Sequence, residues 1–320
     1  MPVAVLPKIS IIMPVLNREH TIEKAIHSLL DQAYPDLEFI VIDGGSSDGT
    51  VDIIKRYQNY IAYWHSQADG GASIAMNLGV EHATGDLIAF LMADDWYEPG
   101  TLIRIAKAMI DHPEADMITC GGKIVYYDEV SQSYQPKHVY ASAHRMELNF
   151  SNICFDITSA ICCRFIKKSL YDQIGLFLPF DSQGKHMFSN DKEFLLRAML
   201  HGAKNIYVDY VGHNYLASKD SSTFGNHKQN ILRLCHEHME TAEIYLNTKS
   251  MSAKYTFLFM YWYIDQSTRL ILFNMLDKNV RKSIALVKDG LCKFPLLWTP
   301  AFVYTTFKII FKKAVRSYSK

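Results

Sequence analysis

The chain has 320 residues, 49 % hydrophobic and 21 % charged, the balance of a soluble globular protein with room for a large domain and an appendage. Lysine plus arginine and aspartate plus glutamate both number 33, so no net charge points to a nucleic-acid partner. The start "MPVAVLPKIS" has no basic stretch leading into an apolar run and no segment offers about 20 uninterrupted apolar residues, so neither a signal peptide nor a membrane span is expected.

Along the chain, "ISIIMPV" from Ile9 is a short β-branched apolar run and reads as a strand. "TIEKAIHSLLDQA" carries Ile22, Ala25, Ile26, Leu29 and Leu30 at helical spacing. "LEFIVID" is a strand again, and "DGTVDIIKRYQ" opens with Asp48 as a capping acid and continues as a helix. "IAYWHS", "ASIAMNLGVEHA" and "DLIAFLM" repeat the alternation as strand, helix and strand. Such alternation predicts right-handed βαβ units and a mostly parallel, Rossmann-like sheet flanked by helices. Ligands of such sheets bind beyond the carboxyl ends of the strands, where Pro14–Asn17, Asp43–Gly49 and Ala93–Tyr97 fall.

After residue 115 the pattern loosens. "ADMITCGGKIVYYDEV" and "SAICCRFIKKSLYDQIG" read as longer, mixed strands and a short helix. Cys162 and Cys163 then point to opposite strand faces, and with Cys120, Cys154, Cys235 and Cys292 they show no CxxC spacing. Reduced thiols of a cytosolic protein fit better than a disulfide framework or a zinc site. "NDKEFLLRAMLHG" is a helix stopped at Gly202, "AKNIYVDYVG" is a strand, and from Asn226 the chain reads as helix throughout. The expected division is an α/β domain over residues 1–225 and a helical region over 226–320.

The chemistry lies in the strand-end breaks. A carboxylate at Asp43 can accept an N–H from a planar ring such as a nucleobase, and the small residues after it leave room for backbone approach. A turn aspartate would look the same at this level. A calcium loop fits poorly, with Gly45 at the third position and Ile54 at the twelfth, and no GxGxxG follows the first strand. In "AFLMADDWY" the acids Asp94 and Asp95 end an apolar strand. Paired oxygen ligands there suit Mg²⁺ or Mn²⁺ together with substrate phosphates.

These stretches, "ISIIMPVLNREHTIEKAIHSLLDQAYPDLEFIVIDGGSSDGT" and "DGGASIAMNLGVEHATGDLIAFLMADDWY", resemble the family 2 glycosyltransferases of GT-A fold. The bacterial members that build envelope polysaccharides look most similar, and the match covers residues 8–215. The resemblance implies that Pro14, Asn17 and Asp43 surround the nucleotide, with Asp43 reading the base. It implies a donor-binding helix start over Asp69–Asn77, hence Gly71 and Asn77 as donor contacts, although Met76 stands where many members carry arginine. It also implies a divalent metal, Mg²⁺ or Mn²⁺, at the acid pair. Many members write that signature DxDD; its first acid is Met92 here, which leaves Asp95 as the first choice of metal ligand and Asp94 beside it, Asp94 also counting as a donor contact. In "GLFLPFDSQGKHMFSNDKEFLLRAMLHG" the acid matching the family's catalytic base is Asp191. An acid in a first helical turn also complements the helix dipole. Asn190 replaces an acid seen in many members, and Glu193, on another side of the helix, is the second candidate.

The implied activity is transfer, with inversion, of a hexosyl or N-acetylhexosaminyl group from a nucleotide-diphosphate sugar, UDP-linked by preference, to a saccharide or lipid-linked saccharide. The competing readings are a sugar nucleotidyltransferase, whose glycine-rich basic signature is missing from "MPVLNREHT", and a catalytically inactive nucleotide-sugar-binding module. His65, His201 and His213 read as ordinary histidines. His213 falls in "GHNYLASKDSST", read as a polar loop positioned to close over the phosphates. In the tail, Lys308, Lys312, Arg316 and Lys320 recur every four residues with Lys313 beside them, and Phe307, Ile310, Phe311 and Ala314 lie on the other side. Such a helix suits an anionic membrane surface, and would place the protein in the cytoplasm, peripheral at the inner face of the membrane. Packing of the apolar side on this chain's own helices is the other reading.

Overall fold

The computed structural model describes residues 5–155, 161–181, 184–218, 227–248 and 251–318. The chain divides into two compact units, one of residues 1–179 and 190–224 and the other of residues 180–189 and 225–320.

The first unit is built on β1 (Ile9–Val15), all of whose residues are buried. It pairs in parallel with β2 (Leu37–Asp43) on one side and β4 (Leu87–Phe90) on the other, and with every residue buried no polar alternation is needed. The helix α1 (Ile22–Leu30) buries Ile22, Ala25, Ile26 and Leu29. After α2 (Thr50–Arg56) and β3 (Tyr63–Ser66), the helix α3 (Ala72–His82) follows. It meets β1 through Gly79, where a Cβ would lie 2.3 Å from Ile12 Cγ2, so this position has no room for a side chain.

Beyond β4 come β5 (Trp96–Tyr97), α4 (Thr101–Asp111), β6 (Met117–Asp128), β7 (Ser133–Tyr140), α5 (Ala143–Met146) and α6 (Phe150–Phe155). A 3₁₀ turn (Ile161–Cys163), β8 (Arg164–Lys167), α7 (Lys168–Ile174), α8 (Asn190–His201) and β9 (Asn205–Leu216) complete the unit. The sheet order is β3-β2-β1-β4-β8-β6-β9-β5, with β7 on β6.

The expectation of a mostly parallel sheet holds only for β3-β2-β1-β4. β8 runs antiparallel between β4 and β6, β7 antiparallel to β6, and β5 antiparallel to β9, while β6 and β9 are parallel. For β7 the reason is connection length. β6 and β7 are joined by a turn far too short for a crossover, which forces a hairpin. A second correction concerns the adjacent thiols. Cys162 and Cys163 close the 3₁₀ turn ahead of β8 rather than alternating in a strand. All six cysteines are free, and only Cys292 is exposed.

The second unit consists of α9 (His227–Leu246), α10 (Ala253–Leu276), α11 (Val280–Lys293), α12 (Trp298–Tyr318) and the segment 180–189. α10 packs against the other three helices and buries Phe259, Trp262, Tyr263, Ile264, Leu270 and Ile271. The segment is held by one buried carboxylate. Glu237 Oε2 accepts from Phe188 N at 2.7 Å, Ser189 N at 2.9 Å and Ser189 Oγ at 3.1 Å, and its other oxygen accepts from Arg233 Nε at 2.8 Å. Removing the acceptor leaves buried donors unmet, so Glu237→Ala should cost about 2–4 kcal/mol in denaturant unfolding. A loss within about 0.5 kcal/mol, the usual range for neutral surface changes, would refute this role.

Candidate active site

Three strand ends meet at the carboxyl edge of the parallel strands. Pro14 is buried in β1 beyond the last β1–β4 pair, Ile12↔Phe90, so the N–H that it lacks is not missed by the ladder. Two residues after β1 ends, Asn17 turns with φ 51°, a left-handed value that asparagine tolerates. Its backbone N–H donates to Ser46 Oγ at 2.8 Å and its Oδ1 accepts from Ser47 N at 2.9 Å. Glu19 Oε2 accepts from Gly49 N at 2.7 Å, and Asp48 accepts from Glu19 N at 3.2 Å and Thr50 N at 3.0 Å. The loops after β1 and β2 are thus laced into one rigid rim.

Asp43 ends β2 fully buried. Oδ2 accepts from Gly45 N at 3.2 Å, Ser46 N at 3.0 Å and Ser66 Oγ at 2.6 Å, and Oδ1 accepts from Ser46 Oγ. The carboxylate is therefore the organiser of its own loop. Gly71, at φ 150°, precedes α3 with its N–H on Asp69 Oδ1 at 2.8 Å. Both ends of the Asn77 amide bond the backbone of Phe177, at 2.8 and 3.0 Å, so Asn77 ties α3 to the chain after α7.

The acid pair splits into two environments. Asp95 is 1 % exposed. Its Oδ1 accepts from Leu216 N at 2.9 Å and its Oδ2 lies 3.3 Å from His213 Nε2. Asp95 Oδ2 and both ring nitrogens of His213 are buried without a hydrogen-bond partner. Asp94 is less enclosed, with Oδ2 3.5 Å from Arg18 Nε. Burial and the neighbouring Asp95 push its carboxyl up to about 6 against the pull of Arg18.

His213 corrects the sequence reading. It sits inside β9 opposite Tyr97 of β5 and Gly122 of β6, fully buried, not in a loop. The strand runs on through Leu216 because its polar residues face partners on neighbouring strands: Asn214 reaches Glu98 Oε1 at 3.0 Å. A histidine and an asparagine side by side at a buried strand end were the only sign of this in the sequence.

Asp191 opens α8 half-buried, its Oδ1 accepting from Lys192 N at 2.8 Å. Glu193 points elsewhere. It is buried and holds Arg197 Nε with both oxygens, at 2.8 and 3.0 Å, while that guanidinium reaches the carbonyls of Ile174 and Leu176. Cys162 closes the 3₁₀ turn ahead of β8 close to Asp95. Burial pushes that thiol well up, and the charges of Asp95, Asp191 and Asp94 push it further. Asp95, Cys162 and His213 present ligand atoms all within 4.8 Å of one another, the metal-compatible cluster found among the described residues. Asp95 Oδ2 and His213 Nε2 face each other at 3.3 Å without a hydrogen bond between them, and His213 Nδ1 has none either, so the donor set fits a divalent metal as it fits a direct His–Asp ion pair. Nothing in "SAICCRF" singled out Cys162.

Comparison with known proteins follows the same geometry. S. aureus TarS 1-349 in complex with UDP-GlcNAc superposes with TM-score 0.60 at 17 % identity, covering 85 % of this chain and 84 % of that one. A Pyrobaculum calidifontis mannosyltransferase in complex with GDP-Man and Mn²⁺ also gives 0.60 at 17 % identity, over 94 % and 84 %. These likenesses establish the GT-A fold. A putative teichuronic acid biosynthesis glycosyltransferase of Bacillus subtilis, TuaG, is 32 % identical over 133 residues, 41 % of this chain and 50 % of that one. The chain spans about half the length of the curated relatives it matches. The family model described as "Glycosyl transferase family 2" matches residues 10–175, which is more than half of the chain, and so the chain belongs to glycosyl transferase family 2.

Proposed function

We propose that this chain is an inverting glycosyltransferase that moves a sugar from a UDP-linked donor to a hydroxyl of a saccharide or lipid-linked saccharide during envelope polysaccharide assembly. The observation that carries the reading is the placement of Asp43 at the end of β2 and of Asp94–Asp95 after β4 at one carboxyl edge of the parallel strands, with His213 of β9 set 3.3 Å from Asp95. Support for the donor comes from the UDP-GlcNAc bound by the S. aureus neighbour, and for the pathway class from the B. subtilis relative.

The nucleotide lies over the rim made by Asn17, Asp43 and the following loop. The base N–H exchanges with the Ser46 or Ser66 hydroxyl that Asp43 now accepts. Asp95 and His213 would hold the metal, with Asp94 next to them, and the bound cation would supply positive charge against the leaving diphosphate. An imidazole among the ligands favours Mn²⁺ over Mg²⁺, which takes oxygen. Asp191 takes the proton from the acceptor hydroxyl as that oxygen attacks the anomeric carbon, opposite the diphosphate, and one displacement inverts the centre.

The test is a screen of UDP-, GDP- and dTDP-sugars with Mn²⁺, scored by nucleotide diphosphate release. Release with a UDP-sugar supports the reading. Pyrophosphate release would instead mark a nucleotidyltransferase, and silence with every donor a binding module.

We further propose that the C-terminal helix docks the enzyme on the cytoplasmic leaflet. Along α12, Trp298, Ala301 and Thr305 are buried, while Val303, Tyr304 and Phe307 are 60, 60 and 69 % exposed. The apolar residues are thus shared between the helical unit and the surface. Lys308 is exposed. The side chains of Ile310, Phe311, Lys312, Lys313, Ala314, Arg316 and Lys320 lie outside the described residues. No described helix is long and apolar enough to cross a membrane, and an apolar strip beside basic residues suits an anionic interface. Full-length protein should float with anionic liposomes at low salt, and deletion from Pro300 onward should abolish flotation. Protein that stays in the soluble fraction at low salt would end the idea.

A further inference from the structure

Asp95, Cys162 and His213 lie on three separate segments: the turn after β4, the 3₁₀ turn before β8, and β9. Their exposures are 1, 7 and 0 %. The sequence, and the family assignment, call only for carboxylates at this place. The structure adds a thiol and an imidazole to them, which changes what the site will hold.

We propose that Cys162 is a third protein ligand of the metal site, which therefore selects borderline and thiophilic dications, Zn²⁺ and Co²⁺, over Mg²⁺. The proposal rests on the reading of Asp95 and His213 as metal ligands. Three physical points carry it. First, the spacing fits. A tetrahedral site with bonds of about 2.0–2.2 Å to nitrogen and oxygen has edges of about 3.3–3.6 Å; His213 Nε2 to Asp95 Oδ2 is 3.3 Å, and Cys162 Sγ lies within 4.8 Å of a ligand atom of each. Second, the orphaned atoms belong to this cluster: Asp95 Oδ2 and both His213 nitrogens have no hydrogen-bond partner in a region without solvent, a costly state for polar groups unless something binds them. Third, binding can be coupled to loss of the thiol proton. The thiol proton leaves to solvent as the metal–sulfur bond forms, and the thiolate and the Asp95 carboxylate then face the dication. Thiolate, imidazole and carboxylate together are a soft-to-borderline set.

The frame is preorganised. Leu216 N fixes the other oxygen of Asp95 at 2.9 Å, an outer contact of the kind that orients a ligand. His213 is held by pairing to β5 and β6 and by the Tyr97 ring at 6.0 Å.

The experiment uses the full chain, freed of metal, in a Cys292→Ala background so that the exposed thiol does not contribute. Co²⁺ is titrated in and followed by visible ligand-field bands and the near-ultraviolet thiolate-to-cobalt charge-transfer band, with no substrate present. Expected are both signals in the parent, loss of the charge-transfer band in Cys162→Ser with ligand-field bands retained, and at least about tenfold weaker Zn²⁺ binding with Mg²⁺ binding unchanged. Cys162→Ala serves as the second variant, and circular dichroism checks the fold of both. Ligand-field bands without a charge-transfer band in the parent, or a charge-transfer band that survives Cys162→Ser, would overturn the role of the thiol and leave the metal reading standing. No Co²⁺ bands at all in the parent would overturn both.

Discussion

Asp191→Asn is expected to lower transfer by about 10²–10⁴-fold, the usual worth of a positioned general base, with donor affinity near that of the parent. The amide keeps the size of the carboxylate and can still accept from Lys192 N, as Asp191 Oδ1 does at 2.8 Å, but it cannot take a proton at neutral pH. The contrast variant is Glu193→Gln. Its carboxylate is 4 % exposed and clamps Arg197, so weakening that pair should lower the melting temperature, and the chemical step should suffer only to the extent that the fold loosens. Single-turnover transfer and donor binding are measured on both. An inactive, well-folded Glu193→Gln enzyme beside an active Asp191→Asn enzyme would transfer the role of base to Glu193.

The second large effect is expected from the acid pair. Asp94→Ala with Asp95→Ala should abolish Mn²⁺-dependent release of nucleotide diphosphate. The single variants separate function from folding. Asp94 is only partly enclosed and its ion-pair contact is with Arg18 at 3.5 Å, so Asp94→Ala should fold like the parent. Asp95→Ala should be the more damaging, because it also strips the acceptor from Leu216 N and the neighbour from His213, at a cost in stability of about 1–3 kcal/mol. Turnover and thermal unfolding of all three variants are read together. A double variant that turns over at the parent rate with Mn²⁺ would remove the acid pair from the metal site.

What the sequence determined by itself is the part governed by local pattern. Strands β1, β2 and β4 are largely apolar on both faces because helices cover the sheet on both sides, and helices such as α1 show their buried stripe at Ile22, Ala25, Ile26 and Leu29. Those two periodicities are visible without coordinates, and with them the parallel half of the sheet and the strand ends that carry Asp43 and Asp94–Asp95. The helical character after Asn226 was legible for the same reason.

The rest was decided by pairings between distant segments. Asp43 carries the same letter whether it faces a ligand or its own loop; only the fold shows Ser46 and Ser66 on its oxygens. The family resemblance made Asn77 a donor contact; only the fold shows that its amide also bonds Phe177. Asp191 and Glu193 are two residues apart, about 200° around a helix, and which of them turns inward depends on where Arg197 and the carbonyls of Ile174 and Leu176 lie. The antiparallel insertion of β8 between β4 and β6 brings the turn holding Cys162 to the acid pair, and pairing of β9 with β5 brings His213 there. Neither residue could be assigned from its own neighbourhood in the chain, since a buried cysteine and a buried strand histidine acquire their chemistry only from the groups that tertiary structure sets within a few ångströms of them.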